Sequence, residues 1–381
     1  MRIAMIGQRG IPARYGGVER HVAALSEQLA RGGHTVTVYT RRWYARTPHP
    51  NPLPHGEREF KSRIRRVILP SLHTQYLDTF THTFFSAIHA LFQDFDVIHF
   101  HGVGPALLAW IPRVFTRARV VVTVHSLNRF HPQWNVVGKL ILLLGEWAAV
   151  HFPHRTIAVS HHLRAYFRQQ YGRDAVMIPN GMELPATIPS RSLLDRWHLV
   201  AQQYVLFVGR LVESKGAHTL IAAWKEVQKK HPDVLGDRKL ALVGDAHFDD
   251  AYGARLKKLA GRDASIVFTG WMEGDALLSM IAHAGVFAQP SATEGLPIAL
   301  LEAMAYGIPA LVSDIPAHRE LIAESSVRFP VDDYRALARL MIEAFTDPAW
   351  YEQQGARNRD VVKKQYQWEV VAKKTVEVYR K

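Results

Sequence analysis

Ser291-Ala-Thr-Glu294-Gly295-Leu296-Pro297-Ile298-Ala-Leu-Leu-Glu302-Ala-Met-Ala-Tyr-Gly307-Ile-Pro309 is the stretch on which the reading of this chain turns. The apolar run before it, Val286 to Pro290, has the length and composition of a buried strand. Pro297 at a first helical turn and Gly307 just past a last one bracket a helix. The segment therefore reads strand, loop, helix, the repeating unit of a parallel α/β sheet. Glu294 stands on the loop, and Glu302, eight positions on, lies inside the helix on a turn that can face the same crevice. Backbone N–H groups at the helix start, around Gly295, Leu296 and Ile298, offer an anion site. Two carboxylates for hydroxyls beside a cradle for phosphate suit a sugar nucleotide. Taken singly, Glu294 also reads as an acid stabilised by the helix dipole, and Glu302 as a solvated helix-face residue.

Working outward, Tyr204-Val-Leu-Phe-Val-Gly209-Arg210-Leu-Val-Glu-Ser-Lys215-Gly216 repeats the grammar: an apolar strand, a glycine turn with two cations, then a helix through about Lys230. An Arg presents a planar fork of donors to phosphate oxygens and a Lys adds a point charge. Ligands collect at the carboxyl ends of strands in open α/β sheets, so Arg210 and Lys215 become candidates for binding a diphosphate. The same alternation runs through the chain. Strands are expected at Ile3–Gly7, Thr35–Thr40, Asp96–His101, Arg119–His125 and Thr156–Ser160, and again at Lys239–Gly244, Ser265–Gly270 and Ala310–Ser313. At 381 residues this is natural for two domains. Pro185, Pro189 and Ser190, after Pro179-Asn-Gly181, mark the linker.

These motifs resemble the retaining glycosyltransferases of family 4. The acids match the family's Glu-x7-Glu element, whose first acid lies by the donor sugar and whose second binds the ribose. The turn through Arg210 and Lys215 is similar to its diphosphate-binding Gly-Arg-Leu…Lys-Gly. The opening, Met1-Arg-Ile-Ala-Met-Ile-Gly-Gln-Arg-Gly10-Ile-Pro-Ala-Arg-Tyr-Gly16-Gly17-Val-Glu-Arg-His21, looks like a bacterial branch associated with polysaccharide assembly and, in part, rhamnosyl transfer. The resemblance implies an α/β chain of the GT-B type, two doubly wound Rossmann-like domains facing a central cleft. Residues 1–181 then form a basic acceptor-binding domain and 182–366 a nucleotide-sugar domain, while 367–381 form a helix crossing back to the first. It also implies that His125 faces the donor sugar and that Gly16 and Gly17 let the backbone approach a ligand phosphate. Gly209 closes the donor turn, and Trp271 flanks the base or fills the core. The chain departs from the branch's His-Gly-Leu-Asp pattern, reading His125-Ser-Leu-Asn128, which leaves sugar and acceptor open.

Charge narrows the partners. Residues 1–180 hold 22 Lys and Arg against 9 Asp and Glu, a net of +13, while the remainder balances. Such a surface attracts anionic lipid, a phosphorylated acceptor or nucleic acid. No aromatic-interleaved basic motif or zinc finger accompanies it, so nucleic acid is disfavoured. The proline-rich tract Arg46 to Gly56 precedes Lys61, Arg63, Arg65 and Arg66, candidates for acceptor or membrane contact. A plain surface linker fits that tract equally. There is no cysteine, hence no disulfide framework or thiolate metal site. Met1 runs straight into a strand, so no leader is expected. The apolar runs Thr79–Gln93 and Lys139–Val150 are too short or too polar to span a bilayer.

Three signals are set aside. Asp94-Phe-Asp96 has metal-binding spacing but opens a strand, His161-His162 and the His99/His101 pair lack a partnered ligand set, and Gly7-Gln-Arg-Gly10 is no dinucleotide fingerprint. The expectation is a metal-independent, retaining glycosyltransferase with no cofactor beyond its nucleoside-diphosphate sugar. It moves a hexose or deoxyhexose to a glycan or polyprenyl-diphosphate-linked acceptor, from the cytoplasmic side and peripherally bound to the inner face of the membrane. A sugar-nucleotide epimerase of related architecture and a nucleic-acid-binding protein are the competing classes.

Overall fold

The computed structural model describes residues 1–13, 16–45, 62–74, 77–127, 129, 135–246 and 250–381. Most of the strands form on apolar runs of four to seven residues. In the first half these are β1 (Arg2–Ile6), β2 (Thr35–Arg41), β3 (Ile64–Leu69), β4 (Val97–His101), β5 (Arg119–Val124), β6 (Arg155–Ala158) and the two-residue β7 (Val176–Met177). They form one parallel sheet in the order β3-β2-β1-β4-β5-β6-β7. In the second half β8 (Tyr204–Val208), β9 (Lys239–Val243), β10 (Ile266–Gly270), β11 (Val286–Gln289), β12 (Ala310–Ser313) and β13 (Arg328–Phe329) form another, ordered β10-β9-β8-β11-β12-β13. Continuous apolar strands such as Val-Ile-His-Phe-His and Ala-Leu-Val-Ser are covered on both faces, as parallel sheets require. In each sheet the chain starts in the middle, winds outward, then returns to the other side of the first strand. That reversal makes both doubly wound and places a topological switch point between β1 and β4 in one and β8 and β11 in the other.

The helices that matter below are α1 (Gly17–Arg31), α2 (Leu77–Leu91), α3 (Val103–Ala106), α4 (Trp110–Phe115), α5 (Val136–His151), α6 (His161–Tyr171), α7 (Ala217–Lys230), α8 (Ile298–Ala305) and α9 (Trp368–Arg380). The chain divides into two compact units, Met1–Gly181 with Trp368–Lys381, and Met182–Gln367. The last helix joins the first unit because its apolar stripe, Trp368, Val371, Ala372, Val378 and Tyr379, completes a core with Val22, Leu25 and Leu29 of α1 and Ile3 and Met5 of β1. Each large side chain so buried contributes about 1.5–3 kcal/mol. Gly181 is required beneath it, since a Cβ there would strike the Trp368 indole.

One boundary differs from expectation. Pro297 is the N-cap of α8, with φ −74° and ψ 116°, and the helix begins at Ile298. The fixed proline φ serves an extended cap as well as a first turn. The tract 46–56, Lys61 and Asn128 lie outside the described residues.

Candidate functional site

At the switch point of the second sheet, the loops leaving β8 and β11 interlock. Ala292 N–H donates to the Ser214 carbonyl at 2.9 Å. Gly216, at φ +71°, sits against the Pro290 carbonyl so closely that a Cβ would collide with it. Only glycine meets both conditions, which explains the Lys-Gly ending of the turn. The interlock brings Lys215 to Glu294, Nζ to Oε1 at 2.5 Å. Gln289 Nε2 and Ser291 Oγ donate to the same oxygen at 2.9 and 2.8 Å, and Oε2 takes part in none of these bonds. Burial alone would raise the Glu294 pKa. Lys215, His318 and the Ser291 hydroxyl more than offset it, so the carboxyl titrates below its ordinary value. Glu294 is therefore an anion with one oxygen committed to holding Lys215.

A supporting layer lies underneath. Ser313 Oγ donates to the Ser291 carbonyl, and His318 Nδ1 lies 2.8 Å from the Ser313 carbonyl. Burial pushes His318 down to about 4, so it is neutral at physiological pH. Gln289, Ser291, Ser313 and His318 were not among the sequence candidates. A signal existed for Gln289 and Ser313, each a polar residue ending an otherwise apolar strand, Val-Phe-Ala-Gln and Ala-Leu-Val-Ser.

The other donor-side candidates belong to the same unit. Gly209 and Arg210 follow β8, with Gly209 N–H bonded to the Val243 carbonyl at 3.0 Å and Arg210 exposed. Gly295 and Leu296 are buried, Ile298 is half-buried, and no side chain caps the first turn of α8. Glu302 is half-buried within α8, close enough to Tyr306 to help raise that phenol's pKa, after burial. Trp271, just after β10, is half-buried.

In the first unit the corresponding switch point carries histidines. His99 and His101 share one face of β4, ring centroids 4.2 Å apart. His99 is tied at both nitrogens, Nδ1 to Tyr379 Oη of α9 and Nε2 to Thr123 Oγ1, each at 2.7 Å. His101 Nδ1 lies 3.2 Å from Nε2 of His125, which follows β5. Burial drives all four imidazoles down: His21 to about 4, His99 to about 3, His101 and His125 well below the ordinary range. His125 is thus a neutral hydrogen-bonding group rather than a cation. His21, His101 and His125 bring ring nitrogens within 4.8 Å of one another, a donor set of the kind zinc accepts. Of the His99/His101 pair, expected to lack a partnered ligand set, His101 gains nitrogen neighbours from His21 of α1 and from His125, while His99 stands outside that set.

Gly16, at φ +87°, a backbone conformation that favours glycine, caps α1, and Gly17 is exposed. Glu19, unnoticed in sequence, is buried and accepts from Arg9 N–H at 3.1 Å, pinning the loop after β1. Arg63, Arg65 and Arg66 are exposed at the edge strand β3 or just before it. Lys61 lies outside the described residues. Charges on an edge strand also guard against strand pairing with other chains, which competes with a binding role.

Comparison with known proteins gives a match in each unit. The family model described as Glycosyltransferase Family 4 matches residues 15–184, and Glycosyl transferases group 1 matches 198–361. The phosphatidyl-myo-inositol mannosyltransferase of Mycobacterium tuberculosis is 28% identical over 100% of this chain and 96% of its own length. The GDP-mannose-dependent alpha-(1-6)-phosphatidylinositol monomannoside mannosyltransferase of Mycolicibacterium smegmatis is 25% identical over 94% and 93%. Sucrose-phosphate synthase from Thermosynechococcus elongatus superposes with a TM-score of 0.82 at 24% identity, covering 100% of this chain and 98% of that one, which establishes the shared two-sheet fold. Both curated relatives are named for mannose, whereas the branch resemblance pointed in part to rhamnose.

Proposed function

Because the chain is a family 4 glycosyltransferase of GT-B fold, we propose that it transfers a hexose, mannose in the first instance, from a nucleoside-diphosphate sugar to a lipid-linked acceptor, with retention and without metal. The observation that carries this reading is the Lys215–Glu294 pair at the β8/β11 switch point, with Arg210 on the adjoining turn. Arg210 and Lys215 neutralise the departing diphosphate and the open first turn of α8 adds its amides, an electrostatic arrangement set before charge develops. Glu294 Oε2 takes a sugar hydroxyl and Glu302 the ribose hydroxyls. No carboxylate of the first unit is assigned as base. Retention then follows a front-face course in which the leaving phosphate accepts the acceptor's proton.

The names of the relatives support mannose and a phosphatidylinositol acceptor, and the basic first unit supports an acceptor that carries phosphate. The enzyme works peripherally at the cytoplasmic face of the membrane. Among the described residues no helix is long and apolar enough to cross it. The test is incubation with GDP-mannose and other sugar nucleotides, with and without phosphatidylinositol or a polyprenyl-diphosphate glycan, in excess chelator. Acceptor-dependent diphosphate release and an anomeric NMR signal matching the donor's configuration are expected. An inverted product, or activity that added metal alone restores, refutes the mechanism. Turnover of the donor without acceptor points instead to an epimerase.

A further inference from the structure

One helical layer of the first unit presents its larger apolar side chains outward. From β3 to β4, β5 and β6 the chain crosses the sheet in one direction, and right-handed crossovers put α2, α3, α4 and α5 on the same face. There α2 packs against α4 and α3 against α5. Helix α5 is inverted in polarity. Its inward side includes Gly138, Gly145, Ala148 and Ala149, and a Cβ on Gly145 would come within 2.5 Å of the Val103 carbonyl oxygen. Its outward side, at helical spacing, carries Leu140, Leu144 and Trp147, 55, 52 and 43% exposed. Phe80 and Phe84 of α2 and Trp110 of α4 continue the apolar surface. Scattered surface apolar residues need no explanation, but a layer of them marks an interaction site.

Charge selects the partner. The only acids on these helices, Asp78 and Glu146, are buried and ion-paired with Arg41 and Arg129. The exposed charges are cationic, Arg113 and Lys139, and Arg65 and Arg66 lie on β3, against which α2 packs. A second copy of the chain would bring these cations against their own kind. An anionic bilayer accepts both the apolar stripe and the cations. We propose that this face seats into the interfacial region of an anionic membrane through α2, α4 and α5. The proposal rests on the lipid-acceptor reading and adds to it an apolar anchor, which salt does not screen.

The test uses the full chain with phosphatidylglycerol/phosphatidylcholine vesicles. Part of the bound protein is expected to stay with the vesicles at high salt. Acyl-chain-brominated lipid is expected to quench tryptophan emission, and Trp110→Phe with Trp147→Phe to remove most of that quenching. Leu140→Glu with Leu144→Glu, both at exposed positions, lowers partitioning roughly tenfold or more while binding of free GDP is unchanged. Complete release by salt without quenching overturns the proposal. So does concentration-dependent dimerisation that the Glu variant abolishes, which would identify a second copy as the occupant. Transfer to a detergent-dispersed lipid acceptor without vesicle insertion sinks this proposal alone, and insertion without transfer to lipid sinks the acceptor reading alone.

Discussion

Lys215 and Glu294 hold each other across 79 positions of chain, so neither acts alone. Replacing Arg210 or Lys215 with Ala removes a preorganised cation, and kcat is expected to fall by about two orders of magnitude, roughly 3 kcal/mol. The melting temperature stays nearly unchanged for Arg210→Ala and drops for Lys215→Ala, which leaves the buried Glu294 carboxylate without its cation. Glu294→Gln keeps the shape and removes the charge that orients Lys215. The double variant Lys215→Ala with Glu294→Gln is therefore expected to cost no more than the worse single one, since paired residues are not additive. Additive losses in steady-state kinetics would show that the two act separately. Glu302→Ala weakens nucleoside-diphosphate binding by calorimetry while leaving turnover of saturated enzyme nearly intact, because a ribose contact exists in ground and transition states alike. The identities of these residues were legible, as each stands by a glycine turn or helix start after an apolar run. Their pairing was not, because nothing local specifies which loops meet.

Strand β4 and helix α9 are joined through a buried polar contact, His99 to Tyr379. Tyr379→Phe leaves His99 Nδ1 short of a partner, and denaturant unfolding should register a loss of about 1–3 kcal/mol. The buried histidines also set the acid stability. His21 and His318 titrate near 4 and His99 near 3 in the folded chain, against 6.5 when unfolded. Between those values the unfolded chain binds more protons than the folded one, so stability falls as pH drops below 6.5 and the effect saturates below about 3. Each tenfold difference in proton affinity between the folded and unfolded chain corresponds to about 1.4 kcal/mol, an upper bound where neighbouring imidazoles interact. Melting temperatures recorded from pH 7.5 down to 5 are expected to decline steadily. A flat profile would mean that these rings reach water in the folded state. The strands themselves were readable from apolar runs and turns, but the sharing of His21, His101 and His125 arises from strand order, which single runs do not encode.

For the molecule as a whole, the excess of +13 confined to residues 1–180 predicts salt-sensitive attraction to anionic vesicles. Each basic residue near such a surface contributes about 1 kcal/mol. Exchanging Arg63, Arg65 and Arg66 for Glu should markedly reduce sedimentation with anionic vesicles at low salt and leave GDP binding unaltered. If wild-type protein ignores those vesicles at low salt, the charge serves a soluble acceptor or nucleic acid.

By itself the sequence determined the alternation of strands and helices, the carboxylates and cations at strand ends, and the distribution of charge. These depend on neighbours within a few residues or on composition, and the interactions behind them are short in sequence. Only the tertiary structure decided that Glu294 grips Lys215, that Ser313 and His318 support them, and that four histidines converge beside Tyr379. It also decided that α5 buries its glycines and alanines with Leu142 and exposes Leu140, Leu143 and Leu144. Apolar residues are usually inside, yet most of the run Leu140 to Leu144 is exposed. Which side of a nearly all-apolar helix faces inward depends on how closely the next element approaches, here the Val103 carbonyl against Gly145, and that distance belongs to the packed fold.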